Sequence, residues 1–161
     1  MSAAGGRHRG TFAVAAAIVV ALDQLTKHWA LAALSDGPID LVGSLRLNLV
    51  FNDSAAFSLG GGNTTVIALI GVGLVSVVVT MGLRAERRAW ALGLGILLGG
   101  ALGNLADRAF RDGDGFLGGR VVDMVDLQWW PVFNVADMAL WVGIGVIFLA
   151  SRRQPSEVDA T

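Results

Sequence analysis

Two aspartates with apolar neighbours are the residues of this sequence best suited to chemistry. Asp123 lies in the segment Arg-Val-Val-Asp-Met, and Asp137 ends the segment Phe-Asn-Val-Ala-Asp at the start of a long apolar stretch. Two carboxylates that meet in a poorly solvated site cannot both ionise easily, so they share one proton and titrate as a pair. Such a pair can activate water as a base and protonate a leaving amine as an acid, which is the chemistry of aspartyl peptidases.

The same two aspartates also have a structural interpretation. Asp137 would then only cap the helix that follows it, and Asp123 would be a loop charge. Asp126, three residues after Asp123, is a rival for the catalytic position. Position alone leaves these alternatives open, because it does not show whether two carboxylates come close enough to share a proton.

Other catalytic and binding classes have little support in the sequence. His8 lies in the N-terminal tail and His28 beside Lys27, so neither suits a serine triad, and the zinc motif His-Glu-x-x-His is absent. Asp112-Gly-Asp114 resembles only the start of a calcium loop. The absence of cysteine excludes disulfides and thiolate metal sites, and there is no basic stripe with interleaved aromatics. We expect no metal, no cofactor and no nucleic-acid partner.

Four apolar stretches must position these polar groups. The 161 residues are 54% hydrophobic and 16% charged, against about 25% charged in soluble domains, and a spanning helix needs about 20 mostly apolar residues. The qualifying stretches are about 11–34, 65–83, 90–109 and 135–150. The first continues too far past Lys27 for a cleaved secretory signal. We predict one membrane domain over residues 1–161, with flexible cytoplasmic tails at about 1–10 and 152–161.

The basic residues predict how these helices are oriented. If all four stretches span, most Arg side chains near helix ends fall on one side of the membrane: Arg7, Arg9, Arg84, Arg87, Arg88, Arg152 and Arg153. Cytoplasmic loops carry such an excess, so both termini are predicted to be cytoplasmic. The polar ends of the first, third and fourth helices then lie at the outer face.

The two longer connections are predicted to lie at that outer face as well. Residues 41–51 alternate partly between apolar and polar, as a strand does. Gly60–Asn63 indicate a turn, and the glycines between 113 and 119 indicate a flexible loop. The predicted fold class is therefore an all-α membrane protein with four transmembrane helices, a small extracytoplasmic β-cradle and a loop cap.

Charged side chains inside the predicted helices gather at the same face. Each costs roughly 2.5–3.5 kcal/mol to insert at mid-membrane, so such groups face the bundle interior and pair with one another. Asp23 and Lys27 are four residues apart and share a helix face, as do Asn104, Asp107 and Arg108. Structural salt bridges explain each set taken alone, and we favour an orienting role for Asp23, Lys27 and Arg108.

Five short segments, taken in order, resemble the lipoprotein signal peptidases, also called signal peptidase II. They are Asp-Gln-Leu-Thr-Lys at 23–27, Asn-Asp-Ser-Ala-Ala-Phe at 52–57, Gly-Asn-Leu-Ala-Asp-Arg at 103–108, Val-Val-Asp-Met at 121–124 and Phe-Asn-Val-Ala-Asp at 133–137. Each is a weak pattern alone, but five in order are specific, and the resemblance runs from about Phe12 to Ala150. Ser54 and Met124 depart from the Gly and Phe usual in the family, and the spacing on either side of Asp123 also differs.

The resemblance implies an intramembrane aspartyl endopeptidase. Its substrate is a prolipoprotein whose lipobox cysteine carries diacylglycerol, and the enzyme cuts on the N-terminal side of that cysteine. The family's catalytic aspartates correspond to Asp123 and Asp137. Its other polar site residues correspond to Asp23, Lys27, Asn52, Asn104, Asp107, Arg108 and Asn134. It further implies a monomer in the bacterial cytoplasmic membrane, in contact with lipid, with its active site near the outer face.

Roles for the supporting residues follow from their chemistry within that family. The three asparagines can bind the substrate backbone or hold the carboxylates in place. Lys27 can pair with Asp23, and Arg108 can pair with Asp107 and steady the end of the third helix.

Three other functional classes fit less well. A transporter or channel would spread polar groups through the membrane depth, whereas the second stretch and the inner halves of the others are uncharged. A non-catalytic membrane subunit would tolerate asparagine at positions 123 and 137. A further class of intramembrane aspartyl proteases carries a Gly-x-Gly-Asp signature inside a helix, which this sequence lacks.

Overall fold

The computed structural model describes residues 7–52, 64–113 and 117–152, and leaves the side chains of 64–68 undescribed. Within these ranges the chain forms four helices and three strands. In chain order they are α1 (Arg9–Ala33), β1 (Ile39–Val42), β2 (Leu45–Asn52), α2 (Thr64–Leu83), α3 (Arg88–Phe110), β3 (Val121–Asp126) and α4 (Val135–Arg152). Residues 53–63, which include the turn predicted at Gly60–Asn63, residues 114–116 and most of the two predicted tails lie outside the described residues.

The four predicted helices are present, and their ends lie within two residues of the predicted ones. The prediction that residues 1–10 and 152–161 are tails is wrong for Arg9, Gly10 and Arg152, because these residues belong to α1 and α4. Both helices extend beyond their apolar stretches, α1 at its start and α4 at its end. The arginines there can reach water with their side chains while their backbones keep the helical hydrogen bonds.

Three of the helices, α1, α3 and α4, are long and apolar enough to cross a membrane. The part of α2 with described side chains, Leu69–Leu83, is apolar but shorter. Large apolar side chains such as Ile18 and Leu25 on α1 are more than half exposed. An exposed apolar helix surface of this kind is what a lipid environment requires.

Glycines on α3 let this helix lie at the centre of the bundle. A Cβ at Gly99 would come 2.6 Å from the Cβ of Val19 on α1, and one at Gly100 would come 2.5 Å from the carbonyl oxygen of Ala136 on α4. Neither distance is sterically tolerable, so only glycine permits these approaches. Small residues at such contacts are typical of helices packed within membranes.

The three strands form one antiparallel sheet in the order β1-β2-β3. Residues 41–51, where a small sheet was predicted, lie in a hairpin, because Gly43 adopts a left-handed φ of +58° and reverses the chain between β1 and β2. β2 pairs with β3 so that Asp123 lies opposite Val50. Val122 and Met124 pack on Ala30 of α1. The sheet therefore lies at the end of the bundle where α1 finishes.

Candidate active site

Polar residues from three helices and two strands meet where α1 and α3 end and α4 begins. Five of these side chains are at most 1% exposed: Asp23, Lys27, Asp107, Asp123 and Asn134. Ionised groups are buried this deeply only when opposite charges or hydrogen bonds compensate them. The contacts of each group therefore show how the site is held together.

Lys27 lies at the centre of the charged cluster. Its ammonium nitrogen lies 2.8 Å from Oδ2 of Asp23 and 3.0 Å from Oδ2 of Asp107. It also donates a hydrogen bond of 2.9 Å to Oδ1 of Asn104. An ammonium has three hydrogens and no acceptor, so these three partners satisfy it fully and tie α1 to α3.

Asp23 joins the same helix to the start of α4. Its Oδ1 accepts a hydrogen bond of 2.9 Å from the backbone N–H of Ala136, in the first turn of α4. The first N–H groups of a helix have no partner within it, and a carboxylate there is favoured by the helix dipole. Asp23 thus fixes the N-terminal end of the helix that carries Asp137.

Asp107 holds the strand that carries Asp123. Its Oδ2 accepts a hydrogen bond of 3.1 Å from the backbone N–H of Val122. Its Oδ1 lies 2.8 Å from Nε of Arg111, one turn further along the chain. The carboxylate therefore connects Lys27, the end of α3 and the residue next to Asp123.

Gln24 also belongs to this cluster, and its contacts were not predicted from the sequence. Its Nε2 lies 3.2 Å from Oδ2 of Asp23, 3.2 Å from the carbonyl oxygen of Gly103 and 3.1 Å from Oδ1 of Asp107. Its place beside Asp23 in the segment Asp-Gln-Leu-Thr-Lys was the available signal. The helical register that turns it towards α3 depends on the packing.

Asp123 is held by two amide groups. Its Oδ1 accepts a hydrogen bond of 2.6 Å from Nδ2 of Asn134, and its Oδ2 accepts one of 3.1 Å from Nδ2 of Asn52. Burial raises the pKa of Asp123 to about 6, with the charge of Asp137 acting in the same direction and the two amide hydrogen bonds opposing it. A carboxyl group in this environment keeps its proton more readily than one in water.

Asp137 is only partly buried and takes part in a capping box at the start of α4. Its Oδ2 accepts a hydrogen bond of 3.2 Å from the backbone N–H of Asn134, and Oδ1 of Asn134 accepts one of 2.9 Å from the backbone N–H of Asp137. The remaining oxygen, Oδ1, accepts a hydrogen bond of 2.8 Å from Nδ2 of Asn104. Asp137 therefore caps α4, as one interpretation of the sequence expected, and it also contacts Asn104 of the site.

Asn134 links the two carboxylates directly. Its side-chain nitrogen binds Asp123 while its backbone nitrogen binds Asp137. The same side-chain nitrogen lies 3.0 Å from Oδ1 of Asn104, so both asparagines and both aspartates form one continuous network. In this network each carboxylate oxygen of the pair has a donor within 3.2 Å.

Arg108 is partly buried and its charge acts on three carboxylates, those of Asp123, Asp107 and Asp137. The ion pairs described above for Asp107 are with Lys27 and Arg111. The predicted pairing of Arg108 with Asp107 stays a prediction, and its charge bears on the whole site.

Asp126, the rival aspartate, belongs to a different cluster at the other end of β3. Its Oδ2 lies 2.8 Å from Nε of Arg46 and accepts a hydrogen bond of 3.1 Å from Asn48, while its Oδ1 accepts one of 2.7 Å from the backbone N–H of Gln128. The hydrogen bond from Arg46 lowers the pKa of Asp126. This environment favours the ionised carboxylate, whose contacts join β3 to β2.

Within the described residues, no three histidine or acidic side chains come close enough together to hold a metal ion. What the arrangement provides is two neighbouring carboxylates in unequal surroundings: Asp123 is buried and has a raised pKa, and Asp137 is more open to its surroundings.

The chain is similar to the members of one known protein family. A family model described as signal peptidase (SPase) II matches residues 15–153. The lipoprotein signal peptidase of Rhodococcus jostii (strain RHA1) is 49% identical over 132 residues, covering 81% of this chain and 66% of the relative. That of Mycolicibacterium smegmatis (strain ATCC 700084 / mc(2)155) is 43% identical over 155 residues, covering 88% of this chain and 65% of the relative. That of Mycobacterium avium (strain 104) is 46% identical over 138 residues, covering 84% and 75%. The chain thus spans slightly less than two thirds of the first two relatives.

Two solved structures share the fold. A bacterial membrane enzyme determined at 1.9 Å resolution superposes with a TM-score of 0.76 at 25% identity, covering 91% of this chain and 95% of that one. A second, determined at 2.3 Å resolution, gives a TM-score of 0.74 at 25% identity and covers 92% and 94%. The helical bundle with its small sheet is therefore the architecture of a known kind of membrane enzyme.

Proposed function

The chain belongs to the signal peptidase II family, and we propose that it is an aspartyl endopeptidase that removes the signal peptide from diacylglyceryl-modified prolipoproteins. The observation that carries the aspartyl mechanism is the link through Asn134, which binds Asp123 with its side chain and Asp137 with its backbone. Two carboxylates held by one residue, one of them with a raised pKa, are suited to sharing a proton.

The unequal surroundings of the pair suggest which carboxyl group holds that proton. The buried Asp123, with a pKa of about 6, is the proton carrier. Asp137 is less buried, lies at the N-terminus of α4 and accepts hydrogen bonds from Asn104 and from the backbone N–H of Asn134. Asp137 is therefore the general base, and Asp123 is the acid that polarises the scissile carbonyl.

The proposed reaction balances with these two groups and one water. Asp137 takes a proton from the water molecule while the water oxygen bonds to the scissile carbonyl carbon. At the same time Asp123 gives its proton to the carbonyl oxygen. Asp137 then passes its proton to the amide nitrogen as the carbon–nitrogen bond breaks. A proton returns from the tetrahedral intermediate to Asp123, which leaves a carboxylic acid, a free amine and the pair in its starting state.

The supporting residues act by positioning. Lys27, Asp23 and Asp107 hold α1, α3 and the start of α4 together. Asn104 and Asn52 each donate to one catalytic carboxylate. The charge of Arg108 acts on both. Groups held in this way need little rearrangement during the reaction, which is how a preorganised site lowers a barrier.

The proposed substrate follows from the family and from the surroundings of the site. The names of the relatives describe signal peptidases of lipoproteins, and the exposed apolar surfaces of α1 and α4 would let lipid chains remain in the bilayer. We place the cut on the N-terminal side of the diacylglyceryl cysteine. The new amine then belongs to the lipidated protein.

The proposed placement uses four membrane spans. α2 would be the fourth span. Most of the arginines near helix ends would then lie on the same side of the membrane as both termini, and an excess of basic residues marks the cytoplasmic side. The site would lie at the outer face of the bacterial cytoplasmic membrane, and the enzyme would act as a monomer. The clustering of the charged groups at one end of the bundle also argues against a conduction path, which would need polar groups along its length.

The test uses purified wild-type protein with Asp123→Asn and Asp137→Asn, each in detergent or lipid. Each is offered a diacylglyceryl-modified prolipoprotein and the same protein without the lipid. Gel shift follows release of the signal peptide, and mass spectrometry reads the new N-terminus. Asp40→Asn is the matched control, because Asp40 is an exposed aspartate on β1.

We expect the wild type and Asp40→Asn to cut the lipidated substrate before its cysteine, and the two site variants to lose at least about a hundredfold in rate while remaining folded. Equal cutting by folded Asp123→Asn or Asp137→Asn would overturn the assignment of the pair. Equal cutting of the unlipidated protein would overturn the proposed substrate.

A further inference from the structure

A groove of about 710 Å³ lies beside the proposed catalytic pair, between residues 127–133 and the first turns of α4. Its volume falls within the range of about 300–1,000 Å³ typical of small-molecule sites. Among the described residues that line it, Asp137 alone is charged and the others are apolar or aromatic. Along α4 the lining runs from Asp137 to Ile144, a distance of about 10 Å at 1.5 Å per residue.

The groove is open on its α4 side. Met138 is 49% exposed, Trp141 73% and Ile144 51%, and all three line the groove. α4 is one of the helices long and apolar enough to cross a membrane. The groove is therefore continuous with a surface suited to lipid contact, and a ligand could enter it without leaving the bilayer.

Two tryptophans from the segment before α4, Trp129 and Trp130, also line the groove and pack against each other. The ring centres of Trp129 and Trp130 are 6.3 Å apart with an angle of 67° between the rings, an edge-to-face arrangement that holds both rings. Both side chains are more than half exposed. Exposed tryptophans at a membrane surface often serve only as anchors, but these two also form one side of a groove that reaches Asp137.

The chemistry of the lining favours an alkyl chain over a peptide. An extended peptide brings backbone N–H and C=O groups that need partners, and an unpaired one is costly in an apolar environment. Apart from the carboxylate of Asp137, the lining side chains named here offer only indole N–H groups. An acyl chain brings no polar group and gains from burial, by about 0.8 kcal/mol per CH₂.

We propose that this groove binds one acyl chain of the substrate's diacylglyceryl group and selects for its length. The inference rests on the proposed function, because it takes the scissile bond to lie at Asp137. The scissile amide is on the N-terminal side of the cysteine and the glycerol group is joined to the sulfur of the same residue, so an acyl chain extending from it can follow α4 past Met138 and Trp141 to Ile144. Ile144 lies at the far end of the groove along α4, so the size of the side chain at position 144 sets how much of the chain the groove holds.

The test compares two synthetic lipopeptide substrates of identical sequence, one with two 16-carbon acyl chains and one with two 8-carbon chains. kcat/KM is measured for wild type, Ile144→Trp, Trp141→Ala and the control Val142→Trp. Val142 is 53% exposed on the same helix but does not line the groove. The quantity compared is the ratio of kcat/KM for the long-chain substrate to that for the short-chain one.

We expect Ile144→Trp to lower this ratio about tenfold or more, because the larger side chain fills the far end of the groove. Trp141→Ala removes one wall and should also lower the ratio, through weaker binding of the long chain. Val142→Trp should keep the wild-type ratio. The two groove variants change the site in opposite steric senses, so a folding defect in one leaves the other as a test.

Each other outcome contradicts the inference in a distinguishable way. Equal losses for both chain lengths would mean that Trp141 and Ile144 serve only to anchor α4 in the membrane. A second pair of lipopeptides replaces the apolar residues before the cysteine with alanine, and losses in the groove variants that depend on this replacement and not on chain length would assign the groove to the signal peptide. If wild type cuts both lipopeptides and the variants keep its ratio, the groove proposal alone fails. If wild type cuts neither, the proposed function fails together with it.

Discussion

The ammonium nitrogen of Lys27 lies 2.9 Å from the side-chain oxygen of Asn104, and this contact determines which end of the amide meets the active site. An ammonium can only donate hydrogen bonds, so the oxygen of Asn104 must face Lys27. The nitrogen of Asn104 is thereby turned towards Asp137, to which it donates a hydrogen bond of 2.8 Å. Lys27 thus influences Asp137 through Asn104.

The first prediction concerns the buried charge of Lys27. Lys27→Met leaves Asp23 and Asp107 buried without the ammonium, and breaking a buried ion pair in this way costs about 3–5 kcal/mol of stability. For a chain of this size the melting temperature should fall by about 6–20 °C, as measured by thermal unfolding in detergent. Adding Asp23→Asn removes the carboxylate whose ion pair was with Lys27, so the double variant should be more stable than Lys27→Met alone. Two independent, additive losses would contradict the network.

The second prediction concerns pH. Asp123 has a pKa of about 6, above its ordinary 3.8, so the folded protein binds this proton more tightly than the unfolded chain does. The free energy of unfolding should therefore fall as pH rises from about 4 to about 6, as ionisation of the buried carboxyl becomes costly. Because the proposed mechanism uses protonated Asp123, kcat/KM should fall as pH rises, with a midpoint near 6.

Two asparagines of the same strand test whether Asp123 is the titrating group. The hydrogen bond from Asn52 lowers the pKa of Asp123, so Asn52→Ala should raise that pKa and move the midpoint of kcat/KM to higher pH. Asn48→Ala removes an amide of the same strand that donates to Asp126 instead, and should leave the midpoint in place. A midpoint that moves to lower pH in Asn52→Ala would show that Asp123 is not the titrating group.

The third prediction separates Asp126 from Asp123. Asp126 pairs with Arg46 and its pKa is lowered, so its contribution to stability is present above the unfolded pKa and is lost as pH falls through the lower folded pKa. Asp126→Asn should weaken this acid-sensitive part of the stability curve while folded protein keeps cutting substrate. Loss of cutting in a folded Asp126→Asn protein, with activity kept in Asp123→Asn, would reverse the two roles.

The fourth prediction uses two glycines. A Cβ at Gly103 would come 2.5 Å from Oδ2 of Asp23, whereas one at Gly145 would meet nothing within 4 Å. Gly103→Ala should displace Asp23 from Lys27 and lower both the melting temperature and activity. Gly145→Ala, in the middle of α4, should raise stability by about 0.5–1 kcal/mol through helix propensity. Equal melting temperatures for the two variants would mean that the packing around Asp23 is looser than described.

The helices could be read from the sequence because length and apolarity are local properties. Four apolar stretches became four helices, with ends displaced by no more than two residues. The position of the turn in the hairpin was harder to predict, since it depends on a single glycine. Gly43 reverses the chain inside a stretch whose apolar and polar residues partly alternate. Ordinary alternation of side chains does not show where such a turn falls.

The role of Gln24 could not be predicted for a related reason. Its side chain reaches both Asp23 on its own helix and Asp107 on α3. The sequence shows a polar residue near other polar residues. Only the rotation of α1 against α3, made possible by the glycines between them, decides which neighbours it contacts.

The sequence was enough to predict that the chain is helical and apolar, which aspartates and asparagines are chemically able to serve a peptidase, and which family the chain resembles. These conclusions depend on residue types and spacing along the chain. The tertiary structure alone decided that Asn134 joins Asp123 to Asp137 and that Asp23 caps α4 from α1. It also decided that Asp126 belongs to a separate ion pair. Hydrogen bonds and charge pairs act over a few ångströms in space, so residues 80 or more positions apart can be partners while near neighbours in sequence serve different clusters.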